Sequence, residues 1–191
     1  MVARGVADRG SLASRLPATT RRGSEAWEIN PFEEVIMRLE VVQTAAAPRA
    51  VVWQVLTDWE RQPEWMLDAK AVEVLTPERT GVGVTIRCPT NLMGATVQDI
   101  MRVTDWEPQR RLAVVHLGRI ITGGGAFELD DDGPGRTRIT WWEQIDPPLG
   151  ALGEWGASTL VEPVIRRIFA RSLRNLAGLA EAEVAASPTP G

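Results

Sequence analysis

Apolar and polar residues alternate through most of the chain, and the period lengthens to that of a helix in only a few places. From Phe32 onward EVIMRLEVVQTAA sets Val35, Met37, Leu39 and Val41 against Ile36, Arg38, Glu40 and Val42, the two-residue period of a strand. After Ala47-Pro48, Val51, Val52, Val55 and Leu56 mark the buried side of a helix of about ten residues. Asp58 to Trp65 reads as a second short helix, broken near Pro63. Strand patterns follow at 71–75, 82–88, 95–106, 111–118, 125–129 and 137–145, separated by turn residues such as Thr80-Gly81, Pro89, Glu107-Pro108 and Asp130 to Gly133. Short consecutive strands with tight turns predict an antiparallel meander rather than a parallel sheet.

One long helix is expected at the end, from Thr159 to Glu181. Val161, Ile165, Ile168, Phe169, Leu176 and Leu179 fall on one side of it, and Arg166, Arg167, Arg171 and Arg174 on the other. Ser172, the one polar residue in the apolar stripe, is expected to bond the carbonyl four residues back. Such a stripe must be buried, and the preceding strands supply the sheet to bury it. The expected result is a sheet closed around the helix with a small-molecule cavity between them. Pro163 either begins the helix at its first turn or kinks it. Gly150, Gly153 and Gly156 recur every third residue before it, a spacing that allows close packing or movement as a gate.

Composition narrows the classes. With 191 residues, 44% of them apolar and 24% charged, the chain suffices for one soluble domain, and no apolar run is long enough to span a membrane. Residues 1–23 carry five Arg and one Asp, a net of +4, so the rest carries −8 within a total of −4. An acidic body of this kind argues against a nucleic-acid-binding domain, whose affinity rests on neutralising phosphates. The Arg row on the long helix is a solvated face, with contact to a membrane surface or an anionic head group as the alternative. Residues 1–31 are expected to form a disordered arm, 32–184 the domain and 185–191 a flexible tail. No secretory signal is recognisable, which makes the cytoplasm the expected location. A single cysteine, Cys88, and a single histidine, His116, make no recognisable metal site, and no cofactor is called for. The glycines at 81, 83 and 123–125 spell neither a dinucleotide fingerprint nor a P-loop, and are read as hairpin turns.

The stretch Ala47 to Trp65, APRAVVWQVLTDWERQPEW, resembles the SRPBCC superfamily (START-like, birch-pollen-allergen-like), and within it the polyketide cyclase/dehydrase and lipid-transport branch. Pro-x-x-Arg-Leu (Pro108 to Leu112), GRTRITW (Gly135 to Trp141) and RSLRNL (Arg171 to Leu176) match as well, and the likeness covers about Val35 to Ala180. The resemblance implies an α+β helix-grip fold: a curved seven-stranded antiparallel sheet around a long C-terminal helix, with two short helices after the first strand. It also implies an apolar cavity for a lipid, polyketide, sterol or hormone, and in some members aromatase/cyclase activity.

Two carboxylates point inward by parity: Asp99 shares a face with Val97, Met101 and Val103, and Glu143 with Ile139, Trp141 and Ile145. A carboxyl in an apolar interior pairs with a cation or has its pKa raised, so catalysis stands beside a salt bridge to Arg87 or Arg102. His116 suits proton transfer, but both faces of its strand are apolar and parity does not orient it. Trp65, Val84, Ile86, Met101, Phe127, Ile139, Trp141, Ile165 and Ile168 are the expected ligand-facing residues, and filling of the core is the bland account of the aromatic ones. The leading expectation is a binding protein for a hydrophobic or amphipathic small molecule, without covalent chemistry. The alternatives are a polyketide aromatase/cyclase or dehydratase using Asp99, Glu143 and His116, and a protein-interaction module with an exposed apolar patch. Ligand identity and oligomeric state stay open.

Overall fold

The computed structural model describes residues 37–92, 94–118, 121–145 and 162–187. The expected N-terminal arm, the Gly150–Gly156 approach, Val35 and Val161 lie outside them. Seven antiparallel strands form one curved sheet: β1 Met37–Ala45, β2 Glu73–Val74, β3 Thr85–Leu92, β4 Ala95–Glu107, β5 Arg111–Leu117, β6 Thr122–Asp131 and β7 Thr137–Ile145. Their order across the sheet is β1-β7-β6-β5-β4-β3-β2, so β2 to β7 form a meander and β1 closes onto β7. Between β1 and β2 lie α1 (Arg49–Thr57), a 3-10 turn (Trp59–Arg61) and α2 (Gln62–Trp65). The long helix, α3, spans Glu162–Ala186. This is the α+β helix-grip architecture expected from the sequence.

The alternation places side chains as anticipated in β1, where Leu39 and Val41 are buried while Arg38, Glu40 and Val42 are exposed. Two strand boundaries differ for local reasons. β3 does not stop at Pro89 but runs on to Leu92. In a strand a residue's N and C=O point to the same side, and the Pro89 carbonyl accepts from the Lys70 N–H at 3.1 Å on the outer side. The missing N–H therefore costs the β3–β4 ladder nothing. β6 is longer than the expected 125–129 and takes in Gly123, Gly124 and Gly125, which are strand residues and not a hairpin turn. A bulge between Val103 and Asp105 shifts the β4–β5 register, so Trp106 stands opposite Leu112 and its ring meets Trp53 edge-on at 5.1 Å.

α3 buries Phe169, Ser172, Leu173, Leu176, Ala177 and Ala180 and exposes Arg166, Arg167, Arg171 and Arg174. Pro163 is the second residue of the described helix, within its first turn, where a missing N–H breaks no bond. The helix continues to Ala186, into the stretch read as tail. Ser172 does not bond back along the helix; its hydroxyl oxygen accepts from the Leu67 N–H at 3.1 Å and, with Asn175 Nδ2 donating to the Trp65 carbonyl at 3.2 Å, ties the end of α2 to α3. The close backbone approaches of α3 are to β1, α1 and α2 rather than to β3, β4 or β5. On the inner face of those three strands Val97, Met101 and Val114 stay half-buried.

Leu173 sits at 0% exposure where α3 joins the main core. Leu173→Ala is expected to lower stability by about 2–5 kcal/mol, read as a lower urea midpoint with an unchanged m-value.

Candidate functional site

Three strands bring Asp99, His116 and Glu143 together on the inner face of the sheet. His116 stands opposite Met101 across β4–β5, which orients it inward beside Asp99, two residues along β4. Its Nδ1 lies 2.9 and 3.0 Å from the two Asp99 carboxylate oxygens, and its Nε2 lies 2.6 Å from Glu143 Oε1. The other Glu143 oxygen, Oε2, accepts from Trp141 Nε1–H at 2.9 Å. The side chains of His116, Asp99 and Glu143 are only 8%, 6% and 8% exposed. The cation that pairs with the two carboxylates is thus His116; Arg87 instead pairs with Glu73 on the outer surface, and Arg102 is exposed.

Glu143 and His116 are not on neighbouring strands, since β6 runs between β7 and β5. Strands spaced about 4.8 Å apart leave a long reach across the intervening one. Gly125 on β6 pairs with Glu143 on one side and Val114 on the other, and Gly123 pairs with His116. A Cβ on Gly125 would collide with the Glu143 carboxylate. The absence of that side chain is what lets the carboxylate lie over β6 and meet the imidazole. A glycine inside a strand signals a close approach of this kind.

Burial would depress the His116 pKa, but its hydrogen bonds to Asp99 and Glu143 and their negative charges outweigh it and push the pKa up to about 10. His116 is therefore an imidazolium at neutral pH, donating from Nδ1 to Asp99 and from Nε2 to Glu143. A fourth group belongs to the same neighbourhood. Asp68, which carries no signal in the sequence pattern, has its pKa raised, chiefly by burial and further by the charges of Glu143 and Asp99. Its segment runs along β3, with the Asp68 carbonyl accepting from the Asn91 N–H at 2.9 Å and Ala69 bridged to Thr90. Cys88, paired with Asp99 across β3–β4, is raised to about 11, first by burial and then by Asp68 and Asp99, and is a buried thiol. Among the described residues no group of His, Cys, Asp and Glu is arranged to hold a metal ion.

The expected ligand-facing residues all gather on this side of the sheet. Trp65, Val84, Ile86, Phe127, Ile139 and Trp141 are buried in the core, and Met101, Ile165 and Ile168 pack against it half-buried. Trp141 stacks on Phe127 at 4.8 Å and on Phe169 of α3 at 3.9 Å, while Trp65 meets Phe127 edge-on at 5.9 Å. The aromatic stack joins sheet to helix and holds the indole N–H on Glu143. Among the described residues no helix is long and apolar enough to cross a membrane.

Residues 37–181 match the family described as "Polyketide cyclase / dehydrase and lipid transport". No curated protein matches the chain by sequence. Among solved structures, the Zhui aromatase/cyclase from Streptomyces sp. R1128 is similar with a TM-score of 0.64 and 24% identity, over 79% of this chain and 97% of that one. A protein from Thermus thermophilus has a TM-score of 0.67 at 17% identity, over 79% of this chain and 100% of that one. A START superfamily protein from Mycobacterium smegmatis has a TM-score of 0.57 at 15% identity, over 78% and 97%. At these identities the three structures speak for the fold alone.

Because folding raises the His116 pKa from 6.5 to about 10, the folded protein keeps a proton that the unfolded chain releases in between. The stabilisation is complete below pH 6.5 and is lost as pH rises through about 10. Urea unfolding at pH 6 and pH 9.5 should show the lower midpoint at the higher pH, and His116→Gln should remove most of the difference. A Cβ at position 125 displaces the Glu143 carboxylate, so Gly125→Ala is expected to cost about 1–3 kcal/mol. It should also lower the His116 pKa by NMR titration of the ring protons.

Proposed function

We propose that this chain, which belongs to the polyketide cyclase/dehydrase and lipid transport family, binds a hydrophobic or amphipathic small molecule against the inner face of β3–β5. The polar end of that molecule lies toward the Asp99–His116–Glu143 triad. The observation that carries this reading is the placement of a buried, charged triad beside inward-facing apolar side chains that packing leaves half-covered, Met101 and Val114 among them. For stability alone, a well-packed apolar replacement of such a triad is commonly as good or better. A recognition role gives the charges a use that core packing does not.

A second reading is favoured by the same histidine. An imidazolium between two carboxylates can lend a proton to a carbonyl oxygen while a carboxylate takes one from carbon, the paired steps of a cyclisation or dehydration of a keto or hydroxy substrate. In the resting arrangement both imidazole nitrogens are engaged, so substrate has to displace one carboxylate before His116 serves it. The aromatase/cyclase among the structural neighbours is in keeping with this chemistry but does not assign it here.

Native mass spectrometry of the purified protein, followed by solvent extraction, is expected to recover a bound small molecule of mixed apolar and oxygenated character. Protein that captures none of a panel of aromatic and polyketide-like compounds would speak against both readings. Asp99→Asn combined with Glu143→Gln should weaken capture by about tenfold or more under the binding reading, in which the triad meets the ligand's polar end. Under the catalytic reading it should abolish turnover while capture persists.

A further inference from the structure

The outer ridge of α3 carries a charge that no described residue answers. Arg167, Arg171 and Arg174 follow one another at four and three residues, so they line one side of the helix over about 10 Å. All three are exposed, and none makes a hydrogen bond or ion pair among the described residues. Eight other described arginines are in ion pairs, among them Arg166 on the same helix, which bonds Glu162 and the Glu40 carbonyl. From residue 163 to residue 180 the helix holds four Arg and no acid. Like charges one turn apart weaken a helix, and an ordinary solvated face intersperses carboxylates that relieve them. Here the repulsion is kept, within a stretch, 24–191, whose net charge is −8. Apolar surface adjoins the ridge. Val164, 47% exposed, stands three residues before Arg167 and seven before Arg171, on the same side of the helix. Leu67, 55% exposed, is tied through its N–H to Ser172, the residue after Arg171. Asn175, next to Arg174, holds the Trp65 carbonyl, so the end of α2 lies along this flank of α3.

We propose that the Arg167–Arg171–Arg174 ridge, with Val164 and Leu67 at its margin, is a docking surface for an acidic helix of a partner protein. It lies on the outer side of α3 and does not depend on what the inner face of the sheet binds. A partner helix with Glu or Asp at the same spacing of four and three offers one carboxylate to each guanidinium. Arg grips a carboxylate through two parallel N–H···O bonds, which fixes register as well as charge. An apolar residue beside those carboxylates covers Val164 or Leu67 and gives the contact a desolvated part. Net charge selects a helix over a membrane as the occupant. An anionic bilayer is wide enough to face the acidic body as well as the ridge, and the body's charge then opposes approach. A single acidic helix faces the ridge alone.

Fluorescence anisotropy of the full-length protein at pH 7 with labelled, stapled peptide helices tests the proposal. One peptide carries Glu at i, i+4 and i+7 with Leu beside them; a second of the same composition scatters its Glu around the helix. The first is expected to bind at least about tenfold more tightly at about 50 mM salt, and to weaken by about tenfold at about 300 mM. Arg167→Gln combined with Arg171→Gln and Arg174→Gln should erase the preference. The same variant should melt no earlier than the parent, because it loses a like-charge repulsion, and should capture small molecules as the parent does. Equal binding of the two peptides, or a preference that survives in the triple variant, would overturn the proposal. A parent without preference and a triple variant that melts earlier would assign the row to folding and overturn it as well. Vesicles of three parts phosphatidylcholine to one part phosphatidylglycerol are expected to leave the protein in solution. Co-sedimentation that the triple variant loses would put a membrane in place of the partner helix.

Discussion

An imidazolium held between two carboxylates inside an apolar sheet is the interaction to which the rest of this structure is fitted. Each charge alone would be costly to bury, and each is tolerable because the others are present. Removing the cation would leave two carboxylates facing each other without water; removing one carboxylate would leave the imidazolium half-matched. The arrangement therefore ties three strands to one protonation state. It also explains why the sole histidine of an acidic chain is charged at a pH where an exposed one would be mostly neutral.

The fold supplies what this triad demands in three ways. The meander puts β4, β5 and β7 on one curved face, so that Asp99, His116 and Glu143 converge from different strands. Glycine at 125 opens the lane across β6. The Phe127–Trp141–Phe169 stack then fixes the indole that holds Glu143 and at the same time docks α3. Packing and electrostatics share residues here, so the helix that closes the core also steadies the charged site.

Much of the fold was legible because it depends on local period. The strand 137–145 was readable to the residue, and α3 announced itself by its stripe and its row of Arg. Asp99 and Glu143 faced inward by simple parity. The rest depended on long-range terms. His116 could not be oriented because its strand is apolar on both faces, and only its register against Met101 settles the direction. Asp68 was invisible because it lies in an irregular segment with no period to read. Pro89 looked like a strand end because the side to which its nitrogen points is set by a neighbouring segment, not by the proline. The glycine run did carry a signal, since three glycines inside a strand pattern mark a close approach, but its target lay eighteen residues away on another strand.

The close fit of Glu143 over Gly125 has a consequence for how this scaffold can change. A side chain at 125 and a carboxylate reaching across β6 from 143 compete for one volume, so they are mutually exclusive occupants. A side chain gained at 125 turns the Glu143 carboxylate away from its place beside His116, so the triad persists only while 125 stays a glycine. The two positions behave as one heritable unit, and an empty glycine on one strand records what its neighbour on the next is permitted to be.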